Sequence, residues 1–359
     1  MVVQARYDQM IGRMARAMTS GSANPFGMLQ VTRMKRFSVG LLMAVFVVAT
    51  MTVSLPASAR EGDSLSTLAD EDMRLAVLAE DMLRANHRLC RKTMPVTGLL
   101  LHTRDQYGSG MDDLFPNGPV AIAAIVPGSP AEKAGLAPGD ALRAINAVPV
   151  DGLSPPSEGP FRDAVFALLA DQNPEAPLKL RVARGDAEFE VSLDAEPGCR
   201  ALVEILADNG NSARSDGRVI QLSYGLAQRL SDDQLAAAFA HEMGHLVLEH
   251  RRRLSEAGIS KGFFAEFGRN QQSNRQAEVE ADRLSVHLLA NAGLAPDIAP
   301  DFWLSREGRR IDAGIFRSTI YPSPTARAEL MQEEIARHLS PQDRPSLPRH
   351  LLDRRDTDF

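Results

Sequence analysis

Basic excess is absent from this sequence. Its 40 Lys and Arg face 46 Asp and Glu, aromatic residues make up 5%, and no basic stripe with interleaved aromatics occurs. That excludes nucleic acid as a partner. Cysteine is scarce too, with only Cys90 and Cys199, so one disulfide or two free buried thiols exhaust the options. Long apolar runs are missing apart from one near the N-terminus. What is present is an ordinary globular balance, 44% hydrophobic and 24% charged in 359 residues, enough for a sizeable core and two domains. Disorder of the chain as a whole is excluded.

The one apolar run, Phe37–Leu55, follows the basic Met34-Lys35-Arg36 and precedes Ala57-Ser58-Ala59. Basic, apolar and small-x-small regions in that order mark a secretory signal peptide, here 34–59 with cleavage after Ala59. The run is also almost long enough to stay as an uncleaved membrane anchor. Residues 1–33 precede a second start at Met34 and read as an upstream extension. Residues 1–59 hold six basic residues and one acid, and taking these from the totals leaves the exported chain at a net charge of −11. Export to the periplasm puts the cysteines in an oxidising compartment, which favours a Cys90–Cys199 disulfide over free thiols.

Leu68, Met73, Leu75, Leu78, Met82 and Leu83 recur at helical spacing within Leu65–Leu89. Short β-rich runs with Pro and Gly turns follow, at 98–102 and 118–150. Phe161–Ala170 reads as a short amphipathic helix, and 177–193 as a hairpin around Gly185-Asp186. The stretch "PGSPAEKAGLAPGDALRAIN" (127–146) resembles the PDZ domains of bacterial proteases. The likeness spans 95–197 and implies a small β-sandwich or barrel that takes a peptide ligand. Many PDZ domains carry Gly-Φ-Gly-Φ where this chain has Gly98-Leu99-Leu100-Leu101. The implied mode is therefore strand addition to a sheet edge rather than capture of a terminal carboxylate.

Beyond Ala201 come two β-rich runs, "ALVEILAD" and "GRVIQLS", then Ser231-Asp232-Asp233-Gln234, which has the spacing of a capping box. The helix it opens is expected over Asp232–His250 and contains "AHEMGH". His241 and His245 stand at i, i+4, so both imidazoles project from one face and can share a zinc ion; Glu242 sits where a general base is needed. A core helix with satisfied histidines is the competing reading, and the cap and uncharged flanks weigh against it. A third ligand is expected from "QAEVEADRLSVHLLANAG" (276–293), read as a second helix. Glu278 is that ligand, and Asp282, one turn on, holds a ligand imidazole by its other nitrogen. Glu280 points elsewhere. His250 and His287 lie off the ligand face and read as structural.

His-Glu-x-x-His followed by Glu-x-x-Ala-Asp resembles the gluzincin zinc metallopeptidases of the HtpX and CAAX prenyl protease type, with the soluble BepA-like and Oma-like members closest in layout. The resemblance covers about 65–90 and 200–335. It implies an α+β fold: a mainly helical peptidase domain, formed by 60–94 and 198–338, with a small antiparallel sheet and the PDZ-like domain inserted. It also implies one Zn2+ per chain and peptide-bond hydrolysis in quality control of unfolded or misfolded envelope proteins. Val219, Ile220, Gln221 and Leu222 resemble the edge strand against which substrate lies. "YPSPTARAEL" (321–330) resembles a His-Pro…Arg element, so Tyr321 and Arg327 become candidate oxyanion donors, Tyr321 standing where many members have His. A Tyr-Pro turn that only packs the following helix is the alternative for Tyr321. The rival function is a PDZ-mediated binding or assembly factor with little proteolytic activity. The tail, 339–359, is charged and Pro-bearing and reads as mobile.

Overall fold

The computed structural model describes residues 57–107, 111–157, 159–259, 269–312, 322–340, 345–357 and 359. The upstream extension, the signal-peptide run up to residue 56 and Tyr321 therefore lie outside the described residues. The chain divides into two compact units, Met1–Ser66 and Thr67–Phe359. Of the first, only the start of helix α1 (Ala57–Ala85) is described. Among the described residues no helix is long and apolar enough to cross a membrane.

Within Thr67–Phe359 two hydrophobic cores form. After α1 comes β1 (Thr93–Val96), then β2 (Leu99–Thr103), β3 (Val120–Ile125), the short α2 (Pro130–Lys133), β4 (Ala141–Ile145) and β5 (Val148–Pro149). Helix α3 (Phe161–Ala170) and the hairpin β6 (Leu178–Arg184) and β7 (Ala187–Leu193) complete this part, and β8 (Glu196–Cys199) leads out. The sheet runs β2-β3-β4-β6-β7, with β5 paired to β4, so β2 lies at its edge. Ile122, Leu142, Val165, Leu180 and Val182 fill its core. Strand β1 pairs antiparallel with β8, and Thr93 faces Cys199, so incoming and outgoing chain are zipped side by side. The Cys90–Cys199 disulfide closes that zipper, with Cα atoms 5.5 Å apart. Gly98 has φ +82°, and a Cβ there would strike the Ser129 side chain at 2.1 Å, so the tight approach of the β2 loop to α2 needs glycine.

The second core belongs to α1 and to everything after β8. Strands β9 (Leu202–Leu206), β10 (Ala213–Ser215) and β11 (Val219–Ser223) precede α4 (Tyr224–Ala227), α5 (Asp232–Val247) and α6 (His250–Glu256). Helices α7 (Arg269–Asn291), α8 (Ile298–Leu304), α9 (Arg306–Asp312), α10 (Pro324–His338) and α11 (Arg349–Leu352) follow. Met82, Phe239, Met243, Leu284, Leu288 and Met331 meet in this core, and Ala170 and Phe166 of α3 pack on it from the PDZ side. The α5 cap forms as its spacing predicts: Ser231 Oγ accepts from Gln234 N and Gln234 Oε1 accepts from Ser231 N.

Four expectations change. The small sheet is ordered β10-β11-β9 and is mixed, since β11 runs parallel to β9. Val219–Leu222 therefore forms the central strand, its backbone groups paired on both sides, and cannot accept a substrate strand. Helix α5 ends at Val247, and Glu249 adopts a left-handed conformation, φ +52°, that breaks the helix before His250. The tail is not mobile over 345–357: Leu351 and Leu352 are buried in the second core, and Arg355 Nη1 donates to Leu89 O at 2.8 Å. Charge and proline in the sequence disguised those two anchoring leucines.

Candidate metal centre

Helices α5 and α7 pack closely because α5 presents a glycine at their crossing. A Cβ on Gly244 would lie 3.0 Å from Ala281 O and 3.1 Å from its Cα. That approach brings Glu278 of α7 to the two α5 histidines. His241 Nε2 lies 3.2 Å from Glu278 Oε2, and His245 Nε2 lies 3.5 Å from Glu278 Oε1. The two Nε2 atoms are 3.1 Å apart. A tetrahedral zinc with bonds of about 2.0–2.1 Å would separate its ligand atoms by about 3.3 Å. The three side chains are 12%, 17% and 18% exposed, so the cluster is open to a substrate rather than sealed.

The state of each imidazole follows from its outer partner. Asp282 Oδ1 lies 3.0 Å from His241 Nδ1 and can only accept, so His241 carries a proton on Nδ1 and turns its Nε2 to the cluster. Glu280 Oε2 lies 3.1 Å from His250 Nε2, which puts the His250 proton there and leaves its Nδ1 as an acceptor. That Nδ1 is 2.8 Å from His245 Nδ1, which must donate. His245 Nε2 is therefore bare. Two Nε2 atoms and a carboxylate then face one another across 3.1–3.5 Å, an arrangement that a positive charge between them satisfies, either a proton on His241 or a metal ion. Burial pulls the His241 pKa down, but hydrogen bonds and charge from Asp282 and Glu278 outweigh it and push it up to about 10, so without an ion a second proton sits on Nε2, where a bound cation would replace it. Burial drives His245 well below the ordinary histidine value. Burial raises Glu278, yet the surrounding His245, His241 and Arg327 hold it far below the usual carboxylate range. The pocket thus holds positive charge firmly, and the donor set suits Zn2+.

Further residues complete the site. Arg327 on α10 forks onto Asp282, Nε to Oδ2 at 2.6 Å and Nη2 to Oδ1 at 2.7 Å, and lies 3.6 Å from Glu278. Its guanidinium stacks on Trp303 of α8, 3.5 Å from the ring centroid, and the Trp303 ring stands edge-on to His241. The sequence reading missed Trp303, although the sole tryptophan of the chain was a signal worth following. It also set aside His250 and Glu280. A continuous helix would carry His250 away from His245, but the left-handed Glu249 turns the chain back and makes it the partner of that ligand. Glu280 then receives His250, Arg253 Nη1 at 2.6 Å and Gln276 Nε2 at 2.8 Å.

A helix pair that presents His-Glu-x-x-His against a glutamate defines a metallopeptidase-type centre. Residues 211–270 match the description of peptidase family M48, and residues 122–184 match a PDZ domain. Both matches are consistent with an M48-type peptidase that carries a PDZ domain. Among solved structures the chain is similar to the HtrA3 PDZ domain bound to a phage-derived ligand, at 19% identity, over 29% of this chain and 88% of that one, with a TM-score of 0.22. No curated protein matches the sequence.

Proposed function

We propose that this chain is an exported zinc endopeptidase that cleaves unfolded or misfolded envelope proteins in the periplasm. The observation that carries the chemistry is the convergence of two Nε2 atoms and the Glu278 carboxylate beside Glu242. His241, His245 and Glu278 would hold one Zn2+. When bound, the ion would supply Lewis acidity toward water and the peptide carbonyl. Glu242, only 7% exposed and adjacent to His241 on α5, takes a proton from the attacking water and returns it to the leaving amine. Asp282 and Arg327 orient His241, and Arg327, whose Nη1 is not engaged by Asp282, stays a proposed oxyanion donor beside Tyr321. Tyr321 is proposed on its sequence position alone. With β11 internal, the substrate strand is assigned to the outer edge of β10. The PDZ domain recruits the client through a peptide segment. The disulfide supports an oxidising compartment.

Digestion of casein with and without chelator tests this reading, with Glu242→Gln and Glu278→Ala alongside. Glu242→Gln should keep bound zinc and lose proteolysis, whereas Glu278→Ala should lose both. Undiminished digestion by Glu242→Gln would overturn the mechanism. A wild type that binds clients but never cleaves them would favour the assembly-factor reading.

A further inference from the structure

Two clusters among the described residues bring three ligand atoms within 4.8 Å of one another. One is the centre described above. The other joins His287 of α7, Glu334 of α10 and His350 of α11. We propose that this second cluster is a zinc-class divalent metal site that fastens the C-terminal segment to the peptidase core.

The geometry has the parts such a site needs. His287 Nε2 lies 3.0 Å from Glu334 Oε1, and His350 Nε2 lies 2.7 Å from the same oxygen. An opening of a few tenths of an ångström would reach the spacing of about 3.3 Å between ligands of a tetrahedral zinc. His287 and Glu334 are wholly buried, and His350 is 35% exposed, which gives the ion a route in and a solvent-side fourth position. Each buried ligand has an outer partner. His287 Nδ1 is 2.7 Å from Ser346 Oγ, a hydroxyl able to accept the ring proton when Nε2 gives it up to bind an ion. Glu334 Oε2 pairs with Arg283 Nε at 3.1 Å, which leaves Oε1 facing the two imidazoles. Two imidazoles and a carboxylate are a donor set for zinc, and copper or nickel would compete for it.

The placement says what the ion would do. His350 and Ser346 belong to the terminal segment, and His287 and Glu334 to two core helices. Asn291 already grips the Ser346 backbone from both sides, through Oδ1 at 2.6 Å and Nδ2 at 3.0 Å. Farther along, Phe359 lies on Arg253, 4.0 Å from the guanidinium, and against His250. The clipped segment thus ends on the residues that hold His245.

Metal counting on the folded chain tests the proposal. Wild type dialysed against excess Zn2+ and then buffer should retain two ions per chain by native mass spectrometry. His350→Asn, at a partly exposed position, should retain one and keep casein digestion. A His241→Ala/His245→Ala double variant, which removes the first site, should still bind one Co2+ with the visible absorption of a four-coordinate ion. Adding His350→Asn to it should abolish that spectrum. Ser346→Ala should weaken this binding by about 10–100-fold, the usual cost of an outer partner. One ion in wild type that survives in His350→Asn overturns the second site. One ion that persists in the double variant and vanishes with His350→Asn instead overturns the first. Should the double variant lose its circular dichroism, the wild-type and His350→Asn counts decide alone.

Discussion

At the scale of single residues, the site is a set of proton assignments. Glu280 sets the tautomer of His250, His250 sets that of His245, and Asp282 sets that of His241. A carboxylate can only accept, so each assignment follows from the one before it. His250→Ala removes the acceptor of the His245 Nδ1 proton without touching a ligand. Zinc affinity should fall about 10–100-fold, measured by competition with a chromophoric chelator, and excess zinc should restore much of the activity. A purely packing role for His250 would lower the melting temperature and leave zinc affinity unchanged. Glu280 also records the balance: burial raises its pKa, but His250, Arg253 and Gln276 bring it down to about 2. Its folded value lies below its unfolded one, so its contribution to stability is complete above about pH 4.5 and is lost as pH falls toward 2.

At the scale of elements, the decisive contact is the crossing of α5 and α7. Gly244 allows the helices to approach until the Glu278 carboxylate reaches both histidines. Gly244→Ala would force Ala281 backbone atoms to give way, and in a buried helix pair they have little room. The substitution favours the helix intrinsically by about 1 kcal/mol, yet it should destabilise the fold and loosen zinc. Differential scanning calorimetry with and without zinc checks this. A gain in melting temperature with zinc binding intact would show that the crossing has slack. The break at Glu249 is a second element-scale device, because it ends α5 and turns α6 back toward the ligands.

For the whole molecule, two of the contacts that hold the PDZ segment carry testable consequences. At its root, β1 pairs with β8 and the disulfide closes a separation of 109 residues. In the chain-entropy picture a loop of that length contributes about 4–5 kcal/mol. Cys90→Ser/Cys199→Ser should lose that amount in urea unfolding, and a loss under about 1 kcal/mol would mean the unfolded chain is already constrained. The second contact is a junction of Asp72 on α1, Glu204 on β9 and Arg162 on α3. Arg162 pairs with Glu204, and Asp72 accepts from Ile205 N at 2.7 Å. Burial, with Glu204 nearby, raises the Asp72 pKa to about 6, against the Ile205 hydrogen bond and Arg162. A raised folded value favours the protonated form, so the contribution of Asp72 is full below about pH 3.8 and is lost as pH rises through 6. Asp72→Asn keeps the acceptor for Ile205 N and should raise the melting temperature by several degrees at pH 8 while changing little at pH 4. An equal shift at both pH values would remove titration as the cause.

Local patterns in the sequence determined a good deal of this protein by themselves. Ser231 and Gln234 cap α5 because a hydroxyl and an amide three residues apart always find the same two backbone donors. His241 and His245 share a face because helical spacing requires it. Asp282 reaches His241 as the turn after Glu278 predicts, and the two cysteines had only each other to pair with. Tertiary structure decided what no local pattern carries. The side on which β11 is covered depends on β9 and β10, and parallel pairing to β9 is invisible in either strand. His250 became a ligand's partner only because Glu249 left the helix. Trp303 and Arg327 meet His241 and Asp282 from α8 and α10, brought by packing across distances that periodicity does not encode. The terminal segment folded because Leu351 and Leu352 found a core to enter, and burial of that kind is a property of the assembled whole.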